Sequence, residues 1–265
     1  MAAKKLRLGG MALANGVLVH GPTSWACAVR TPRGDVKVAS GEKPRIDVSP
    51  DLPFLRGPAR LLEAMLVLPR VRRELPEARF AFERKNVLAT MAAAGVAARA
   101  VRESRRLSPA VQELVGGVIA LAPALVALRG GELAQYHGAE HISIGTYEHG
   151  EGATKEHERC GSHLVGPILL TTAIGNFAAE RAPASIRPAA RVAYALGAIG
   201  ASVEIFGWMT RNADHPLSRA LAKPGHELQH RLGTQDPTPA QLEVAEAALQ
   251  ACLQLEKTEP ETAAR

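Results

Sequence analysis

The chemistry-bearing residues of this 265-residue chain concentrate in His137-Gly138-Ala139-Glu140-His141. Residues four apart on a helix share a face, so the two imidazoles can close on one divalent cation. Glu140, adjacent to the pair, has three roles open to it. It can be a further ligand, it can orient a ligand, or it can act as a general base on water activated by the ion.

Two features complicate a regular helix. Gly138 weakens one, and the run Ile142-Ser143-Ile144-Gly145-Thr146 is β-branched. A loop or a short turn is therefore as good an expectation for the motif as a helix. The order H-x-x-E-H is also that of the inverzincin metalloproteases. More donors follow in Glu148, His149, His157, Cys160 and His163. Cys160 is a soft ligand that suits zinc. Taken singly, a histidine in a polar loop is exposed and a single cysteine is a small buried hydrophobe. Their density in one segment argues for a site. Glu204 lies inside an apolar stretch, where a carboxylate is costly unless it pairs or coordinates. It is read as a further ligand, or as the partner of an arginine. His226 and His230 read as a polar helix face. The sequence has no P-loop, no dinucleotide fingerprint and no G-x-S-x-G elbow.

The elements that must position these residues fall into four segments. Residues 1–50 carry a β-meander. Val17-Leu-Val19, Trp25-Ala-Cys-Ala-Val29 and Val36-Lys-Val38 are short β-rich runs within 9–48, punctuated by Gly21-Pro22, Pro32-Arg33-Gly34 and Gly41. Residues 51–85 form a basic, amphipathic helical segment with breaks at Pro69 and Pro76. Residues 86–209 form a helical bundle that contains the ligand-rich loop 136–163. Residues 210–265 form a soluble helical tail. A helix starts there at Thr238-Pro239 and presents Leu242, Ala245, Leu249, Cys252 and Leu253, and the end from Glu256 to Arg265 is expected to be disordered. The fold class is thus α+β. Composition agrees, being 46% hydrophobic and only 4% aromatic, with the apolar content dominated by helix-favouring Ala and Leu.

Four apolar stretches fill the bundle: Asn86–Val101, Ser108–Leu128, His163–Ala179 and Ala189–Met209. A spanning helix needs about 20 apolar residues. The second and fourth reach that length, the third nearly so, and the first falls short. Arg102, Arg105, Arg106, Arg129, Arg181, Arg187 and Arg211 sit at their ends, as interfacial anchors would. The expectation is a bundle of three or four membrane-embedded helices. By the positive-inside rule the basic N-terminus and the metal loop lie on the cytoplasmic side of the inner membrane. Met1 to Leu8 is basic and runs into Gly9-Gly10 with no apolar region, so no secretory signal is read there. The net charge of +6 also admits nucleic acid, but the arginines do not interleave with aromatics, and membrane lipid fits better. Cys27, Cys160 and Cys252 form no CxxC pair, which speaks for a reducing compartment.

An ordered series of motifs resembles the YqhQ-like bacterial proteins, over roughly residues 8–253. It comprises Gly9-Gly10-Met-Ala, Gly16-Val-Leu-Val-His-Gly21-Pro22, Trp25-Ala-Cys-Ala-Val-Arg30, Tyr136-His-Gly-Ala-Glu-His141, Tyr147-Glu-His-Gly150, His157-Glu-Arg-Cys-Gly-Ser162, Glu204, Pro224-Gly225 and Asp236-Pro237. The resemblance implies a membrane-embedded protein of a family labelled as predicted metal-dependent enzymes, without a known reaction. This chain departs from the family pattern at Asn15, where an acid is usual, at Ile142, where a lysine is usual, and at His226–His230, where an apolar stretch is usual.

Three functions follow from these readings. The first is a membrane-associated, zinc-dependent hydrolase, with His137, His141, Cys160, Glu204 and His157 as the ligand set, Glu140 as base and ion-bound water as nucleophile. The second is a non-enzymatic membrane scaffold or regulator of a protein partner, with a structural metal. The third is a soluble basic protein that binds nucleic acid. A closed four-ligand site predicts the second, and an open coordination position beside Glu140 predicts the first.

Overall fold

Alternation of side chains decides the N-terminal sheet. In the computed structural model, which describes residues 5–46, 54–104, 106–129, 131–150 and 152–262, four strands form an antiparallel meander. They are β1 (Gly9–Leu13), β2 (Gly16–His20), β3 (Ser24–Arg30) and β4 (Val36–Glu42), in the order β1-β2-β3-β4. Leu18 pairs with Cys27 and Val19 with Ala26, so neighbours in the register share a face. One face carries Leu18, Trp25, Cys27 and Val29, and the other carries Val17, Val19, Ala26 and Ala28. Both faces are apolar, so both must be covered.

Helix α1 (Arg56–Glu74) covers the first face with Val67 and Val71, joined by Leu75 just past its end. It runs through Pro69 without interruption, which corrects the expected break there, and Pro76 lies beyond its end. Its basic residues serve the fold. Arg70 donates to Glu42 O, Arg72 donates to Ala78 O and pairs with Glu83, and Arg73 lies against Glu74. Glu63 on α1 is fully buried, held by Arg60 and by the Ile46 amide. Asn15, in the two-residue turn between β1 and β2, donates to Arg30 O and Glu77 O and accepts from Arg79 N. An acid at this position could not donate.

The second face is covered by α4 (Glu132–His149) and α8 (Pro239–Thr262), through Tyr136, Ala139 and Ile144 of α4 and Val244, Ala245, Ala248, Leu249, Cys252 and Leu253 of α8. Cys27 and Cys252 are core residues of the two faces. The expected disordered end from Glu256 is overturned. Helix α8 continues to Thr262, and Glu256 is buried where it accepts the Thr23 and Ser24 amides at 2.9 and 2.8 Å. Those bonds tie the helix to the β2–β3 turn. Residues 263–265, residues 47–48 of the expected meander and Arg105 lie outside the described residues.

The remaining helices pack as two hairpins, α2 (Lys85–Glu103) on α3 (Pro109–Leu128) and α5 (Val165–Glu180) on α6 (Arg187–Arg211), with α7 (Pro216–Leu228) beside α5. They match the four apolar stretches. Their outer surfaces expose large apolar side chains, among them Leu88, Val96, Val118, Ile174, Phe177 and Leu196. Among the described residues, α6 alone is one continuous helix long and apolar enough to cross a membrane. The expectation of three or four membrane-embedded helices is thus supported by length and composition for one helix, or for two if the bent pair of α3 and α4 is taken as one span. Helix α5 has 16 residues, about 24 Å at 1.5 Å per residue, against a hydrocarbon core of about 30 Å. The last part of α3 meets α4 at a 90° bend, and α4 then turns into the sheet core.

Candidate metal centre

Helix α4 holds the motif as a regular helix, which corrects the expectation of an equally good loop. Gly138 serves packing rather than a turn. A Cβ there would lie 2.1 Å from Gln235 O, and the Gln235 amide bonds Ala134 O at 2.9 Å. A bare backbone at position 138 thus lets the 233–235 segment lie against the helix. Its reward is local: Gly233 O reaches His137 Nδ1 at 2.8 Å. The Gly233 carbonyl is presented by a wide π-turn, Gln229–Gly233.

The second imidazole is fixed the same way, with Lys155 O 2.7 Å from His141 Nδ1. A carbonyl only accepts, so each ring must carry its proton on Nδ1, and each Nε2 lone pair is left free. The ring centroids are 4.3 Å apart. Cys160 Sγ lies 3.4 Å from His137 Nε2, and the donor atoms of His137, His141 and Cys160 lie within 4.8 Å of one another. Tetrahedral zinc with nitrogen and sulfur ligands has donor separations of roughly 3.3–3.8 Å. The His137–Cys160 separation lies in that range, and the other two pairs lie within 4.8 Å, near enough for the three residues to close on such an ion.

Glu140 Oε2 lies 3.9 Å from His137 Nε2 and 3.7 Å from His141 Nε2. Burial pushes this carboxyl up to about 8. Burial, followed by the neighbouring His137, holds His141 down to about 3, so its ring is neutral as a ligand must be. Burial pushes the Cys160 thiol up, and a cation is what would hold it as thiolate. All four residues line an open cleft of about 400 Å³ beside β1.

Gln229 was not singled out from sequence, yet it builds the site. It is fully buried, accepts the His157 amide at 3.0 Å, and donates to Ser162 Oγ at 2.7 Å. The segment that carries Cys160 is clamped on both sides by this one amide. Gly225 lets α7 approach the same segment, since a Cβ there would lie 2.4 Å from Ser162 O. The Pro224-Gly225 pair in the motif series was the sequence signal for that contact.

His157 is close, its ring 5.6 Å from His141, but its donor atom groups with those of Glu148 and His149, within 4.8 Å of one another, rather than with His137, His141 and Cys160. Nδ1 accepts the Arg159 amide at 3.2 Å, which puts the ring proton on Nε2, 3.5 Å from Glu148 Oε2. No lone pair remains at Nε2 for an ion. Glu148 also takes the Arg159 guanidinium. Burial opposes its ionisation, but His157 and Arg159 outweigh that and hold the carboxyl down at about 2. His149, near this pair, is exposed. His163 is buried with Nδ1 3.3 Å from Gln229 Nε2. Glu204 is half-buried on α6 and is not part of the His137–His141–Cys160 group. His230 is exposed and bonds Glu156 at 2.6 Å.

Residues 131–255 match a family described as protein of unknown function (DUF1385). The chain is 26% identical to the uncharacterized protein YqhQ of Bacillus subtilis (strain 168), over 94% of this chain and 92% of that protein. No solved structure matches. The family match covers the helix with the histidine motif, the Cys160 segment and the Gln229 clamp, and the wider similarity covers the sheet as well, so along nearly its whole length the chain is similar to the YqhQ-like proteins of unknown function.

Proposed function

We propose that the protein is a membrane-associated, zinc-dependent hydrolase whose ion is held by His137, His141 and Cys160 and whose base is Glu140. One observation carries the reading. Three neutralisable donors converge with their lone pairs free, and a buried carboxyl stands beside them in the wall of an open cleft. A bound zinc ion supplies Lewis acidity, bringing the pKa of water to about 7 and polarising a carbonyl. Glu140 would take the proton from the attacking water and hand it to the leaving group. Backbone carbonyls of Gly233 and Lys155 keep both rings in the ligating tautomer.

Membrane association rests on the helical hairpins. In α6 only 17% of the apolar window is buried, whereas the core helix of a soluble protein would be mostly covered. Large apolar side chains also face outward on α2, α3 and α5. On this reading lipid covers these helices, and the basic N-terminal sheet and the cleft lie at the cytoplasmic face of the membrane. Full release of the protein by carbonate washing would overturn the association.

A second reading is favoured by the 3.7 and 3.9 Å separations of Glu140 from the two imidazoles, which suit a fourth ligand. The ion would then be structural. The variant Glu140→Gln separates the two. As a base, its loss leaves zinc content unchanged and lowers hydrolysis of an activated ester by about 10²–10⁴-fold. As a ligand, its loss lowers the zinc content itself. Equal zinc content in wild type, His137→Ala and His141→Ala would sink both readings.

A further inference from the structure

We infer that the substrate is an extended polypeptide, bound as an added strand on the free edge of β1 and carried by it past Glu140. This rests on the hydrolase reading and narrows it to a substrate class. The edge itself is the first observation. Among the described residues β1 pairs only with β2, and the pair Leu13 and Gly16 closes the two-residue turn between them. Residues flanking such a turn exchange both hydrogen bonds, and the pattern then alternates. Leu13, Met11 and Gly9 therefore bond inward to β2, while Leu8, Gly10 and Ala12 turn their amides and carbonyls outward.

The outward positions are not alike. Leu8 N donates to Glu148 Oε1 at 3.4 Å, and beyond the strand Ala14 N donates to Arg79 O at 2.9 Å. Between them, Gly10 and Ala12 have no outward partner among the described residues. A gap of four main-chain groups is left open, with both its ends occupied.

That gap opens onto the cleft. Leu8, Gly9, Gly10, Met11 and Ala12 line it together with the metal-site side chains. Gly10 is exposed, and a Cβ there would lie 2.2 Å from Glu140 Oε1, so the strand passes directly beside the carboxyl. A strand added to this edge takes its place about 4.8 Å outward, within the cleft. Two amides and two carbonyls at strand spacing are answered by the alternating carbonyls and amides of an extended peptide. A lipid ester has acceptors but no amide to answer the two carbonyls. In the reaction, water oxygen bonds to the peptide carbonyl carbon and the C–N bond breaks. Glu140 takes the water proton and delivers it to the departing nitrogen, leaving a carboxylic acid and an amine.

The test uses the full chain in detergent, zinc-free for binding and zinc-loaded for cleavage. The probe is a fluorescent peptide of alternating valine and threonine, compared with the same peptide N-methylated at alternate residues. Ala12→Pro removes an outward amide and no bond of the β1–β2 ladder. We expect Ala12→Pro to weaken peptide binding about tenfold with zinc content unchanged. N-methylation is expected to weaken binding to the wild type by a similar factor, and it keeps the test valid should the proline variant misfold. Gly10 and Ala12 amides should gain protection from hydrogen exchange when peptide binds. Peptide bound equally well by wild type and Ala12→Pro, and equally with and without N-methyl groups, overturns the inference. A zinc-loaded protein that hydrolyses p-nitrophenyl acetate or phosphatidylglycerol but neither binds nor cleaves the peptide also overturns it, while leaving the hydrolase reading intact. Peptide held at Gly10 and Ala12 by a protein that takes up no zinc supports the strand site and removes the hydrolase reading alone.

Discussion

Helix α4 carries two buried glutamates, Glu140 and Glu148, whose surroundings push them in opposite directions. Glu140 has imidazoles fixed in the ligating tautomer beside it, and burial, opposed by His137 and aided by Cys160, sets its carboxyl at about 8. Glu148 has the Arg159 guanidinium and the His157 ring N–H, which overcome burial and set it at about 2. Each glutamate is paired with histidine within one ligand-rich segment. The lesson is that the hydrogen-bond partner of the far ring nitrogen decides the role. A carbonyl on Nδ1 leaves a lone pair for an ion, and an amide on Nδ1 turns the ring into a donor for a carboxylate.

The largest expected effect tests whether these are two sites or one. His137→Ala or Cys160→Ser should reduce zinc affinity by more than the roughly 10–100-fold typical of losing an outer partner. Glu148→Gln and His157→Ala should keep bound zinc near the wild-type amount while loosening the segment around Arg159. Competition against a chromophoric chelator reads both. If His157→Ala loses zinc as far as His137→Ala does, the tautomer argument fails and the two clusters act as one centre.

Next in size is the clamp. Gln229→Ala removes no ligand, but it frees the His157 amide and the Ser162 hydroxyl that hold the Cys160 segment. Zinc affinity should fall about 10–100-fold, with the Arg159–Glu148 ion pair retained. Gln229→Glu should rescue in part, because a carboxylate still accepts the His157 amide and can accept the Ser162 hydroxyl, but it brings a charge into a fully buried position. A Gln229→Ala protein that binds zinc as wild type would mean that the π-turn alone positions the site.

The same contrast measures how much was legible in the sequence. The meander could be read because Val17-Leu-Val19, Trp25-Ala-Cys-Ala-Val29 and Val36-Lys-Val38 are short β-rich runs cut by Gly21-Pro22, Pro32-Arg33-Gly34 and Gly41. The four apolar stretches predicted α2, α3, α5 and α6 to within a few residues, because composition alone marks such helices. The His137–His141–Cys160 grouping could be anticipated from residue type and density. The partition between ligand and support could not. It depends on which backbone atom faces each Nδ1, and Gly233, Lys155 and Arg159 act there through main-chain atoms that any residue possesses. Gly138 was misread for the same reason. As a local signal it weakens a helix, but tertiary approach of Gln235 requires it. Glu256 is a third case, since a polar tail looks solvated until the Thr23 and Ser24 amides that it caps are known.

The smallest effect sharpens the comparison most directly, because the two glutamates should bend the pH dependence of stability in opposite senses. For Glu140, the folded carboxyl keeps its proton up to about 8, while the unfolded chain loses it near 4.5. Between those values the folded state binds more protons, so its stability falls as pH rises. For Glu148, the unfolded carboxyl takes a proton near 4.5, while the folded one resists until about 2. Its contribution is present above 4.5 and is lost as pH falls toward 2. Thermal melts of the chelator-treated protein should therefore show Glu140→Gln flattening the slope between 4.5 and 8, and Glu148→Gln flattening the slope below 4.5. Each leg is on the order of a few kcal/mol. Zinc should abolish the Glu140 leg, since a cation favours the ionised carboxylate, and leave the Glu148 leg unchanged. A Glu140 slope that persists with zinc bound would mean that the carboxyl does not face the ion, and it would remove Glu140 from the base role before any substrate is tried.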